Sequence, residues 1–131
     1  MSDFYESGDK VRRAVLGDDY VDRSVRRAEE RPFFKPLNES VTALAWGQIW
    51  DRPGLDRKHR SLITVSILLA LGRRHELELH LRGALRNGWT AAELQEVILH
   101  AGCYAGWPAA VEGYRVAADI VEAFEKERGD V

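Results

Sequence analysis

The sequence predicts an all-α fold, a single-domain bundle of about six to seven helices. Three observations carry this expectation. No segment alternates apolar and polar residues for long enough to suggest a sheet. Apolar residues instead recur at helical spacing along nearly the whole chain. Glycine and proline cut that pattern into helix-sized pieces, at Gly17, Arg31-Pro32, Pro53-Gly54, Gly72, Asn87-Gly88 and Gly106. The 131 residues suffice for one compact domain and are too few for two typical ones.

Taken in order, "GDKVRRAVLG" reads as a short helix that stops at Gly17. "DYVDRSVRRAEE" is a second, ended by Arg31-Pro32 because the residue before proline is driven out of helical geometry. "KPLNESVTALAWGQIW" carries Leu37, Val41, Leu44, Ala45 and Ile49 at helical spacing, and "DRPGL" is a turn. A helix then starts after Asp56, a plausible cap. Its segment "SLITVSILLAL" is apolar almost all round, which places it at the domain centre, buried on most sides. Gly72 ends it. The next helix, around "HELELH", stops at Asn87-Gly88. Thr90 to Glu93 have the form of a capping box, opening a helix that runs towards Tyr104. The last helix begins near Pro108 and continues to about Glu127, with "RGDV" frayed beyond it.

Composition excludes several classes of function. Hydrophobic residues make up 45% and charged residues 31%, an ordinary soluble profile. The net charge of −2 gives no basic surplus for nucleic acid or an anionic membrane. Cys103 is the only cysteine, so neither an intramolecular disulfide nor a CxxC centre can form. The start "MSDFYESGDK" lacks the pattern of a secretory leader, and the apolar run at residues 62–71 is too short to span a bilayer. A cytoplasmic location is expected.

The chemistry concentrates in "HELELH". His75 and His80 are five apart, roughly 140° around a helix, so they do not share a metal as the histidines of HExxH do. No metal site is expected. Glu76 and His80 are four apart, on a stripe that Gly83 and Asn87 extend and that borders the apolar face of Leu77, Leu81, Ala84 and Leu85. A carboxylate one turn from an imidazole orients the ring and favours its charged form, which suits proton transfer. A surface pair of little consequence has the same spacing. His100 is spaced by four from Glu96 and Tyr104, beside the face of Leu94, Val97, Ile98 and Ala101. The short turn between the two helices suggests antiparallel neighbours whose histidines approach one cleft. Trp46 and Trp50 share a face, and Arg60 is the basic residue best placed to hold a substrate carboxylate. On the final helix, Ala110, Tyr114, Ala117, Ala118, Val121 and Phe124 make a broad face fit for a subunit contact, while Glu112 is expected in solvent.

The series "RAVLGDDYV", "WGQIWDRPGLDRKHRSLITVSILLALGR" and "HELELHLRGALRNGWTAAELQEVILHAGCYAGWPAA" resembles the carboxymuconolactone decarboxylase family, over about residues 9–123. The resemblance implies the helical fold of the alkyl hydroperoxidase D-like group and a homo-oligomer, a hexamer or trimer. The hydroperoxidase branch carries CxxCxxxH. With its histidine on His80, its cysteines fall on Arg73 and Glu76, so thiol chemistry is excluded here.

The resemblance implies cofactor-free conversion of carboxymuconolactone to the enol-lactone of 3-oxoadipate, with release of carbon dioxide, in aromatic-compound degradation. Arg60 is then expected to hold the substrate's acetate carboxylate. His80 or His100, with Tyr104 in reserve, would stabilise the lactone oxyanion, and His80 backed by Glu76 would protonate ring carbon beside an apolar wall containing Trp46. "HAGCYAGWPAA", with Cys103 and Trp107, departs from the family's pattern and bears on substrate range. A decarboxylase or isomerase acting on another lactone or keto acid is the alternative within this fold. A non-catalytic, ligand-binding oligomer is the alternative of another class.

Overall fold

A computed structural model describes residues 4–129. Among these residues there are seven α-helices, one 3₁₀ turn and one π-helical segment, and no strand. No helix among them is long and apolar enough to cross a membrane. Of the expected frayed end, Arg128 and Gly129 form a turn, while residues 130 and 131 lie outside the described residues. The chain divides into two compact units, Met1–Arg57 and Lys58–Val131.

The N-terminal unit contains α1 (Phe4–Leu16), α2 (Asp18–Glu30), a 3₁₀ turn (Pro32–Phe34) and α3 (Lys35–Ser40), which runs unbroken into the π-helical segment Val41–Trp50. Gly17, at φ +91°, lets α2 leave α1 after a single residue. Asp18 and Asp19 open α2 and Arg27 lies in its last turn, matching the helix dipole. Alpha spacing in "KPLNESVTALAWGQIW" points to Leu37, Val41, Leu44, Ala45 and Ile49 as the packed face, yet Val41 is only half-buried and the other four are exposed. Thr42, Ala43, Trp46 and Gly47 are buried instead. From Val41 onward the cause is the wider winding, which shifts the inward face, together with the contact it makes. A Cβ on Gly8 would fall on the carbonyl oxygen of Thr42 and 2.7 Å from the Gly47 nitrogen, and one on Gly47 would fall on the Phe4 carbonyl. Two backbones meet there with no room for a methyl group.

The C-terminal unit is built from α4 (Arg57–Leu71), α5 (Arg74–Arg86), α6 (Ala91–Ala105) and α7 (Trp107–Glu127). Thr90 and Glu93 form the expected capping box at the start of α6. Gly106, at φ +105°, turns the chain from α6 into α7, and proline occupies the first turn of α7. Both α5 and α6 pack on α7. Val65, Leu69, Leu77, Leu81, Leu94, Ile98 and Val116 form the core with Ala84, Ala110 and Ala117. The expectation that α4 is buried on most sides is corrected. Ser61, Val65 and Leu69 make one buried stripe, whereas Ile63 and Ile67 on the opposite face are about half exposed, at 49% and 52%. Of the broad face expected on α7, Ala110 and Ala117 are spent on the core, and Tyr114 and Ala118 face outward.

The backbone contact in the N-terminal unit makes Gly8→Ala costly. We expect a loss of about 1–3 kcal/mol, read from the urea midpoint, because main-chain atoms cannot rotate away as a side chain can.

Candidate functional site

His80 sits in the second turn of α5, on the side that also buries Leu77, Leu81 and Ala84. It is 6% exposed, whereas His59, His75 and His100 are exposed. Burial pushes its pKa down to about 4 from the ordinary 6.5. Its Nδ1 is buried and makes no hydrogen bond, although the residue is engaged in another contact. Glu76, one turn earlier, is exposed. The expectation that Glu76 favours a charged His80 is therefore reversed in direction: desolvation acts, and it favours the neutral ring. A neutral imidazole offers one N–H donor and one acceptor, which suits hydrogen bonding to a developing oxyanion. His75 and Glu78 point away from this side, and Arg74 Nε stands 3.4 Å from Glu78. Glu112 is exposed as expected, 3.5 Å from Arg74.

Arg60 is half-buried near the start of α4, and its own contacts leave it engaged. The turn of helix that carries it is tied down on both sides. Trp89 donates from Nε1 to the Lys58 carbonyl at 2.6 Å, and the Lys58 ammonium lies 4.4 Å from the Trp89 ring centre. Asn87 donates from Nδ2 to Ser61 Oγ at 2.7 Å, and Ser61 is fully buried. These contacts link the start of α4 to the turn after α5, and so set Arg60 relative to His80 within one unit. Sequence reasoning missed Ser61, Asn87 and Trp89 in this role. Asn87 reads as a helix stop, and nothing in its neighbourhood announces a partner 26 residues away.

Trp46 lies in the N-terminal unit, 4% exposed, stacked on Trp50 with ring centres 4.5 Å apart. Their shared face, expected from spacing, is present. His100 and Tyr104 are together on α6, rings 5.5 Å apart, with Tyr104 84% exposed. His100 lines an apolar groove of about 940 Å³ between α4 and α6, with Ile63, Ile67, Leu99, Cys103 and Trp107. His80 is not among the lining residues of this groove. The Trp107 ring abuts Gly102, where a Cβ would stand 2.9 Å from it.

The family model described as "Carboxymuconolactone decarboxylase family" matches residues 36–119. The chain is 43% identical over 128 residues to a nitrosuccinic acid decarboxylase of Metarhizium robertsii, covering 95% of this chain and 88% of that protein. It is also 43% identical over 116 residues to a 4-carboxymuconolactone decarboxylase of Acinetobacter baylyi, covering 88% and 85% respectively. An uncharacterized 15.0 kDa protein of Paracoccus denitrificans is 30% identical over 63% of each chain.

The burial of His80 sets a pH dependence of stability. Unfolded, the ring titrates near 6.5; folded, it titrates at about 4. Between these values the unfolded chain binds more protons, so stability falls as pH drops from 6.5 towards 4 and is fully present above 6.5. From pH 7 to pH 5 the His80 contribution is on the order of 2 kcal/mol. Urea unfolding of wild type and His80→Gln at both pH values should show the smaller drop in the variant.

Proposed function

We propose that this chain, which belongs to the carboxymuconolactone decarboxylase family, is a carboxy-lyase that needs no cofactor and acts on a small carboxylated lactone, with 4-carboxymuconolactone the favoured substrate. The observation that carries this reading is that two relatives, each 43% identical over most of the chain, are both decarboxylases by name. The chemistry needs little from the protein. The bond from ring carbon to carboxylate breaks heterolytically and carbon dioxide leaves. The electron pair moves through the ring alkene onto the lactone carbonyl oxygen. A proton then reaches ring carbon and gives the enol-lactone. The ring is its own electron sink.

In this proposal Arg60 holds the acetate carboxylate, since a guanidinium binds a carboxylate through two parallel hydrogen bonds. His80 donates from its neutral ring to the developing oxyanion. The negative charge of the intermediate raises the ring's proton affinity, so His80 relays a proton taken from solvent water to ring carbon in the second step. Glu76, being exposed, is given no catalytic part. A cytoplasmic location accords with this role.

A second reading rests on the Metarhizium relative, whose match extends over 95% of this chain. A nitro group beside the departing carboxylate accepts the electron pair as a nitronate, so the same residues serve a nitro-substituted acid. We further propose that a second copy covers the α4/α6 groove and brings His100 and Tyr104 into the assembled enzyme, as a homotrimer or homohexamer.

Both substrates should be offered to the purified protein and carbon dioxide release followed, with and without a chelator. Turnover of the lactone that is insensitive to chelator is expected, and release from neither acid counts against a decarboxylase. His80→Ala should lose about 10²–10⁴-fold in turnover while remaining folded by circular dichroism. Near-normal turnover would remove His80 from the mechanism. Ile67→Glu, placing a charge in the groove, should shift sedimentation towards smaller species, because an unpaired buried charge is not tolerated at an apolar contact.

A further inference from the structure

Arg12, on α1, is only 6% exposed, yet its hydrogen-bond partners are neutral. Its Nη1 donates to Asn38 Oδ1 at 2.9 Å and to Thr42 Oγ1 at 3.3 Å, and the guanidinium stands 5.8 Å from the centre of the Tyr20 ring. Its Nε is buried and meets no acceptor among the described residues. The contrast with the next residue is sharp. Arg13 contacts Asp9 at 2.9 Å, Asp18 at 3.3 Å and Asp22 at 2.7 Å. The nearby acids are thus spent on the more exposed cation, and no described carboxylate pairs with the buried one.

A guanidinium cannot shed its charge, and burying it without a counter-ion, with an N–H left over, is costly. Nη1 is committed, which leaves the Nε–Nη2 edge, the geometry that takes an oxyanion through two parallel bonds. Asn38, which clasps Arg12, also lines a cleft of about 490 Å³ in the same unit, with Tyr5, Lys35, Glu29 and Glu39 around it. Asn38 Nδ2 donates towards the Tyr5 hydroxyl at 3.4 Å, so the amide is oriented with its oxygen on Arg12.

We propose that Arg12, clasped by Asn38 and Thr42, is a carboxylate-binding site of the N-terminal unit. The carboxylate comes from a small organic acid or from a side chain of a second copy of this chain. This proposal does not rest on the decarboxylase reading.

The test uses the full chain, with sodium succinate as probe against sodium chloride at equal ionic strength. Thermal unfolding and sedimentation velocity are followed for wild type, Asn38→Asp and Arg12→Gln. Asn38→Asp is nearly isosteric and supplies the missing carboxylate from within. It should raise Tm and weaken the apparent succinate affinity on the order of tenfold or more. A succinate-specific rise in wild-type Tm that Asn38→Asp loses supports the site with a small acid as its source. No succinate response, but smaller species in Asn38→Asp and Arg12→Gln than in wild type, supports the site with a neighbouring copy as its source. Equal succinate responses in wild type and Asn38→Asp, or no response with unchanged assembly, overturn it. If Arg12→Gln does not fold, wild type and Asn38→Asp decide alone.

Discussion

Close packing against the small residues of α7 governs the C-terminal unit. A Cβ on Gly113 would collide with the Leu69 side chain, so Leu69 of α4 fills the space a larger residue would claim. Ala110, Val116 and Ala117 complete the surface on which α5 and α6 lie. Once α5 and α6 commit one face each to α7, and α4 turns one stripe inward, their remaining faces follow. On α5 the committed side includes His80, which loses its water and with it its ordinary proton affinity. On α4 the commitment of Ser61, Val65 and Leu69 leaves Ile63 and Ile67 outward. Packing of the C-terminal core therefore leaves both a neutral buried imidazole and an apolar groove between α4 and α6.

The helices themselves were legible because their boundaries are local. Gly17, the bond before Pro32, and the reciprocal Thr90–Glu93 cap act within a few residues, and each ends or opens a helix where the spacing said. The groove was not legible. A helix apolar on all sides reads as central, and a count of its apolar residues does not show that one face, with Ile63 and Ile67, is left outside the core. The π winding at Val41–Trp50 escaped for a related reason. Its inward face is chosen by a backbone contact with α1 at Gly8 and Gly47, residues whose lack of side chain leaves no apolar signal to count.

The site was half legible. His80 stood out by residue type and spacing, and its place beside Leu77 and Leu81 follows from the same periodicity. The partnership with Glu76 was inferred from the spacing of four, which places two side chains on one stripe but says nothing of where the protein surface cuts that stripe. Here the cut falls between them. The contacts that fix the start of α4, from Asn87 and Trp89, join residues 26 and 31 apart. Pairings at that range depend on tertiary packing, and no pattern within a helix encodes them.

Among the described residues two basic side chains are buried, and the same physical cost has opposite outcomes. His80 answers desolvation by giving up its proton, and becomes a polar but uncharged group in an apolar wall. Such a ring can donate to a new negative charge without first being pulled from a counter-ion, which is what a preorganised oxyanion donor requires. Arg12 has no neutral form available. Its charge must be met from outside itself, and Asn38, Thr42 and Tyr20 offer dipoles and a ring face but no ion. Neutral partners orient a guanidinium without satisfying it. That is the arrangement expected where the counter-charge arrives with something bound, and it separates Arg12 from Arg13, whose charge three carboxylates already meet.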